Sequence, residues 1–149
     1  MHAKRIPRIA LVAMAGIAAF AIVTILSSCT TTPKQTIKIV LQSKAGTGYE
    51  WVVDGETPST LQQVDSTVEP GGSEELTGGP VTTTYTFQSM KEGDGTLSFR
   101  LERTGTPADD DLTITYHFTI DKDLDVTFNS SEGAYFEGKE IPAPEIYAQ

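Results

Sequence analysis

Apolar and polar residues alternate in short runs along most of this chain. In Thr36 to Gln42, Ile37, Ile39 and Leu41 fall on one side and Lys38 and Gln42 on the other. Leu97, Phe99 and Leu101 alternate with Ser98, Arg100 and Glu102. Leu112, Ile114, Tyr116, Phe118 and Ile120 alternate with Thr113, Thr115, His117 and Thr119, and Thr83, Tyr85 and Phe87 share a face opposite Thr82, Thr84 and Thr86. A period of two puts successive side chains on opposite faces, so each run predicts a β-strand with one face buried. Tyr49 to Asp54 predicts another strand, closed by the turn signal Asp54-Gly55, and Ser59 to Val68 alternates only weakly. Val126 and Phe128 predict a further strand after a turn over Asp121 to Asp125. No stretch after Cys29 carries a helical period. Short strands parted by turn signals every 8 to 12 residues or so predict an all-β fold, an antiparallel sandwich or barrel.

Three of the gaps between these runs are rich in glycine. In Ser43 to Trp51, Gly46 and Gly48 flank Thr47, and Tyr49 and Trp51 point to one face of the outgoing strand, where both are expected to anchor the loop base. A tight turn that needs its glycines for geometry alone is the other reading of this stretch. Glu69 to Glu75 is too rich in Gly, Pro and charge for regular structure, and it leads to Leu76-Thr77-Gly78-Gly79-Pro80. Arg103 to Ala108, followed by Asp109-Asp110-Asp111, makes the third loop. From Ser130 onward Gly, Pro and charge dominate. Residues 130–149 read as a C-terminal tail pinned to the body by Tyr135-Phe136.

The start of the chain has a different character. Lys4, Arg5 and Arg8 precede an uncharged, mostly apolar run from Ile9 to Leu26, and Ser27-Ser28-Cys29 follows. Basic, apolar, then small is the order of a signal peptide, and small residues directly before a cysteine resemble the lipobox of bacterial lipoproteins. That resemblance implies a signal peptide over residues 1–28, lipid on Cys29 as the new N-terminus, and a tether over 29–35. A retained N-terminal membrane anchor is the alternative, since the apolar run is close to spanning length. Both place the rest of the chain outside the cytoplasmic membrane, on the cell envelope. Cys29 is the only cysteine, so no internal disulfide can form. Thr30 to Gln35, at about 3.3 Å per extended residue, reaches only about 20 Å, which holds the domain near the membrane.

Losing the leader changes the charge. Lys4, Arg5 and Arg8 go with it, so 8 of the 11 Lys and Arg remain against 20 Asp and Glu, and the net charge moves from −9 to −12. So acidic a domain is repelled by nucleic acid and by anionic lipid, and it has no basic patch interleaved with aromatics. The remaining 121 residues of the 149 suit one domain with one core, over 36–129.

Catalytic chemistry finds little support. After Cys29 the one histidine, His117, lies on the polar face of a strand and reads as a solvated cross-strand residue, and there is no G-x-S-x-G turn or nucleophilic cysteine. A non-enzyme without a cofactor is expected. Asp121, Asp123, Asp125, Thr127, Asn129 and Glu132 fall at the oxygen-ligand positions of an EF-hand-like loop. Position 6, which needs glycine for a sharp turn, is Val126, and the incoming segment is a strand. A charged hairpin turn that keeps an edge strand soluble is the favoured reading, with no metal.

Taken in order, the glycine loops resemble one family. Thr47-Gly48-Tyr49-Glu50-Trp51 follows the first strand, Leu76 to Gly79 precedes an aromatic strand, and Gly95 to Arg103 enters the last loop. The pattern over about residues 36 to 125 looks like the chagasin family, proteinaceous inhibitors of papain-like cysteine proteases with an immunoglobulin-like β-sandwich. The resemblance implies a three-part wedge that enters a protease's active-site cleft. Gly46, Thr47, Gly48 and Tyr49 would form its centre, with Thr47 and Gly48 at the catalytic cysteine. Gly78 and Gly79 would lie on one side, and Arg103 and Thr104 on the other. The family's first loop usually reads N-P-T-T-G-[FY]-x-W and its third begins R-P-W or R-P-F. Here Lys44-Ala45 replaces Asn-Pro, Gly46 replaces the first threonine, and Thr104-Gly105 replaces Pro-Trp. The family's strand before the first loop's strand is reduced to the tether, and the tail is expected to fill that sheet edge. The strand from Thr36 runs from the tether towards the first loop, so the wedge is expected to face away from Cys29. A non-inhibitory surface binding or adhesion module on the same fold stays open as the other function.

Overall fold

The computed structural model describes residues 35–71 and 79–148. The leader, Cys29 and the tether as far as Lys34, and Leu76 to Gly78 of the second loop lie outside the described residues, while Gln35, read from the sequence as tether, opens the first strand. Eight strands follow in order: β1 (Gln35–Lys44), β2 (Tyr49–Val53), β3 (Leu61–Pro70), β4 (Pro80–Ser89), β5 (Gly93–Arg103), β6 (Leu112–Ile120), β7 (Val126–Gly133) and β8 (Glu145–Ala148). They form two four-stranded sheets, β3-β4-β1-β8 and β2-β5-β6-β7. Every strand pair is antiparallel. The architecture is the all-β antiparallel sandwich, one of the two forms that the alternation predicts, and it has the immunoglobulin-like form that the family resemblance implies.

The core lies where the two inward faces meet. Ile37, Ile39, Leu41 and Phe87 from one sheet pack with Leu97, Phe99, Ile114, Tyr116 and Phe118 from the other, all buried. Phe99 sits at the centre, with ring centroids 5.0 Å from Tyr85, 6.3 Å from Phe87 and 6.0 Å from Tyr116. Tilted and edge-on rings at such spacings add to the area they bury.

Two strands depart from the sequence expectation for physical reasons. β3 runs ten residues although its alternation is weak, and only Leu61 on it is buried. It is an edge strand, paired with β4 alone, and a bulge between Gln63 and Asp65 breaks its register. With neither face covered, no period of two is selected. β7 continues through Ser130, Ser131 and Glu132 to Gly133, residues read from the sequence as tail. It too is an edge, held by its ladder with β6.

The tail is strapped across the open side of the sandwich. β8 pairs with the start of β1, Gln35 to Lys38, and so fills the sheet edge as expected. The Tyr116 hydroxyl donates to the Pro142 carbonyl at 2.9 Å. A single 3-10 turn, Phe136–Gly138, follows Tyr135, and Phe136, Ile141 and Ile146 pack on the core.

Beyond β8's reach, side chains bond to the edge of β1 at Gln42. The Gln42 N–H donates to the Tyr135 hydroxyl oxygen at 2.7 Å, and the Gln42 carbonyl accepts from Trp51 Nε1 at 2.9 Å. Trp51 stacks on Tyr135 at 5.6 Å with the rings 18° apart. The buried Tyr85 hydroxyl donates to the Trp51 carbonyl at 2.6 Å. Tyr49, on the same strand face as Trp51, does not share its role: Trp51 is 2% exposed and Tyr49 is 44% exposed. The core ends between them, so Trp51 alone anchors the loop base.

Burial, and secondarily the Glu50 carboxylate, pushes the Tyr85 hydroxyl up to about 12. Burial likewise raises Tyr116 and Tyr135. A raised folded-state value gives stability that is complete below the ordinary tyrosine value near 10 and is lost as pH rises from there towards about 12. Tyr85→Phe is therefore expected to cost about 1–2 kcal/mol at neutral pH, by leaving the Trp51 carbonyl unpaired. The same variant should lose less stability than the parent above about pH 10. Denaturant titrations at both pH values check this, and parallel alkaline losses in the two proteins would contradict it.

Candidate functional site

The loop after β1, the described approach to β4 at Gly79, and the loop after β5 all lie at one end of the sandwich. Lys44 faces Pro80 in the β1–β4 ladder, and Tyr49 faces Arg103 in the β2–β5 ladder. β1 enters this end after ten residues, about 30 Å of strand, so Thr47 and Gln35 lie at opposite ends.

The first loop, residues 45–48, is short and internally tied. The Thr47 hydroxyl donates to the Lys44 carbonyl at 2.7 Å, and Thr47 Oγ1 accepts from the Tyr49 N–H at 3.4 Å. Gly46 and Gly48 stand at φ of 78° and 75°, the left-handed region that L side chains resist. The glycines thus serve the turn geometry that the simpler sequence reading proposed, and they also leave the tip with little but backbone and the Thr47 side chain.

Its neighbours hold this loop from both flanks. On one side the Ala45 N–H donates to the Gly79 carbonyl at 3.1 Å. On the other, the Gly48 carbonyl accepts twice from Thr104, from its N–H at 2.9 Å and its hydroxyl at 2.8 Å. The Arg103 side chain runs past Gly48, where a Cβ would meet its Cγ at 3.9 Å. The third loop turns back on itself, with the Thr106 N–H bonded to the Arg103 carbonyl at 2.8 Å and Gly105 at φ 68°. The Asp111 carboxylate accepts from the Ala108 N–H at 2.7 Å.

Gly46, Thr47, Gly48, Tyr49, Gly79, Arg103 and Thr104 are therefore brought to one surface, with the first loop in the middle. Gly78 lies outside the described residues. The threonine that stands where the resembled family has proline supplies a hydrogen bond that proline could not make. Sequence reasoning missed that tie, and although it named Tyr135 as pinning the tail, it missed that the Tyr135 ring backs Trp51 beneath the loops. A backbone carbonyl such as that of Gly48 is an acceptor in any sequence, so nothing in the residue pattern marks it.

The other sequence candidates lie elsewhere. His117 Nε2 pairs across strands with Glu132 Oε1 at 3.2 Å, on the polar face of β6. Asp121 Oδ1 accepts the N–H groups of Asp123 and Asp125 at 2.8 and 2.9 Å, closing the turn before β7. Thr127, Asn129 and Glu132 then run out along β7 rather than wrapping round a centre. Among the described residues no three His, Cys, Asp or Glu side chains are grouped to hold a metal.

A family model for the chagasin family of peptidase inhibitors matches residues 30–120. No curated protein and no solved structure matches the chain significantly. The matched span contains β1 to β6, and with them the first and third loops and Gly79, which meet at one end of the sandwich. The chain belongs to the chagasin family of peptidase inhibitors.

Proposed function

We propose that the chain inhibits papain-like cysteine proteases by inserting this three-loop end into the active-site cleft. The observation that carries the reading is the double tie on the first loop, to Gly79 on one flank and to Thr104 on the other. A loop that enters a cleft and is not cut must arrive in a fixed shape. Ordering it on binding would subtract from affinity, so a loop already held by its neighbours binds more tightly. Thr47 and Gly48 would lie at the catalytic cysteine, with Gly79 and Arg103 on opposite walls. The chain offers backbone at the tip, Thr104 as a brace, and the half-exposed Tyr49 beside it as the aromatic contact.

The second part of the proposal is attachment. A lipid on Cys29 and the short tether would hold the domain at the membrane. Thr47 lies at the opposite end of β1 from Gln35, so the wedge would point away from it. A partner in the surrounding medium or on a facing surface could then reach the loops.

Two experiments test these statements. The full chain in mild detergent is expected to inhibit papain reversibly at sub-micromolar concentration. Thr47→Trp, on an exposed residue, should weaken that by about 100-fold or more with little change in Tm. No inhibition across a panel of papain-like enzymes would favour the binding module on the same fold. Cells fed a palmitate analogue are expected to label the protein, and Cys29→Ser to abolish the label; a labelled Cys29→Ser protein would overturn the lipid anchor.

A further inference from the structure

A pocket of about 280 Å³ opens beside the wedge, lined by Lys44, Thr47, Tyr49, Leu101, Asp110, Asp111, Leu112 and Phe136. Its walls come from separate parts of the chain. Thr47 belongs to the first loop and Tyr49 to the start of β2 beside it, Asp110 and Asp111 to the third loop, and Phe136 to the tail, outside the matched residues 30–120. Leu101, Leu112 and Phe136 also pack on the core, so the apolar part of the pocket rests on rigid structure.

The charges are unevenly placed. Asp110 and Asp111 stand on one wall, with Asp109 next to them in the chain, and Lys44 stands on another. The Asp111 carboxylate is fixed by the Ala108 N–H at 2.7 Å, while Asp110 is exposed. A long apolar stem ending in a cation matches this lining best. Its methylenes would lie on Leu101, Leu112 and Phe136, and its charge would meet the two carboxylates. The formal net charge of −9 for the whole chain favours a basic partner surface as well.

We infer that this pocket receives a lysine or arginine side chain from the rim of the protease cleft, a contact outside the wedge tip. The inference rests on the inhibitor reading, since Thr47 and Tyr49 line both surfaces. It makes the tail, through Phe136, part of the binding surface. It also gives the inhibitor a means of choosing among proteases whose clefts are alike but whose rims differ in charge.

The test titrates N-acetyl-L-arginine amide into the ¹⁵N-labelled full chain in detergent, with N-acetyl-L-norleucine amide as the uncharged control. The expected result is saturable shifts at the amides of Thr47, Tyr49, Asp110, Asp111 and Leu112, weaker with norleucine. Asp110→Asn should weaken the arginine probe by about threefold and Lys44→Gln should strengthen it by a similar factor. The two variants should move papain inhibition in the same opposite directions, a pattern that a change in loop structure alone would not give. Papain inhibition without probe shifts, and unchanged in both variants, would overturn the pocket and leave the wedge standing. Probe shifts without inhibition by the parent chain would keep the pocket's chemistry and overturn the protease as its source.

Discussion

The indole of Trp51 joins the two sheets at the end where the loops emerge. It grows from β2, donates to the Gln42 carbonyl on β1 and stacks on Tyr135 from the tail, while the backbone carbonyl of Trp51 accepts from Tyr85 on β4. Two other strands and the tail meet on one residue of β2. Losing a buried tryptophan from a core costs about 3–5 kcal/mol, a large share of the stability of a domain this size. The constraint also acts locally. β1 ends and β2 begins within a few residues of Gln42 and Trp51, so fixing these two fixes both stems of the first loop. The third loop is then aligned by the β2–β5 ladder, and the entry to β4 at Gly79 and Pro80 by the β1–β4 ladder.

The path from sequence to site therefore runs through the edges of the sheets. β1 has only β8 beside its first residues on one side, and farther along that edge Tyr135 and Trp51 satisfy the N–H and carbonyl of Gln42. Satisfying exposed strand groups with side chains stops the edge from recruiting another strand, and here it also plants an aromatic stack directly under the wedge. Thr104 does the equivalent work on the loop itself, bonding the Gly48 carbonyl through both its N–H and its hydroxyl. In this chain hydrogen bonding replaces the covalent stiffness that prolines give the resembled loop pattern.

Much of this was legible beforehand where burial is one-sided. β1, β5 and β6 show a clean period of two because one face of each packs on the opposite sheet, and β4 shows it through Tyr85 and Phe87. β3 is faint because both its faces are open, and β8, although the tail is expected at that sheet edge, shows no period of its own because four residues among prolines and charges carry none. The three loops could be placed from their glycines and their order, and the tail's attachment from Tyr135-Phe136. What could not be read was pairing. Nothing local says that Tyr135 stacks on Trp51, that Thr104 finds Gly48, or that Tyr49 falls beyond the end of the core while Trp51 falls inside it. Those facts depend on where the sandwich stops, which is a property of the whole fold.

The central claim is that the loops are held in one shape before any partner arrives. ¹⁵N relaxation of the unbound full chain in detergent measures this directly at Ala45 to Gly48 and at Thr104 to Thr106. Order parameters near the rigid-backbone value of about 0.85, matching those of β5 and β6, are the predicted result. Values below about 0.6 at these amides would mean that the loops are ordered only on binding, and would contradict the account.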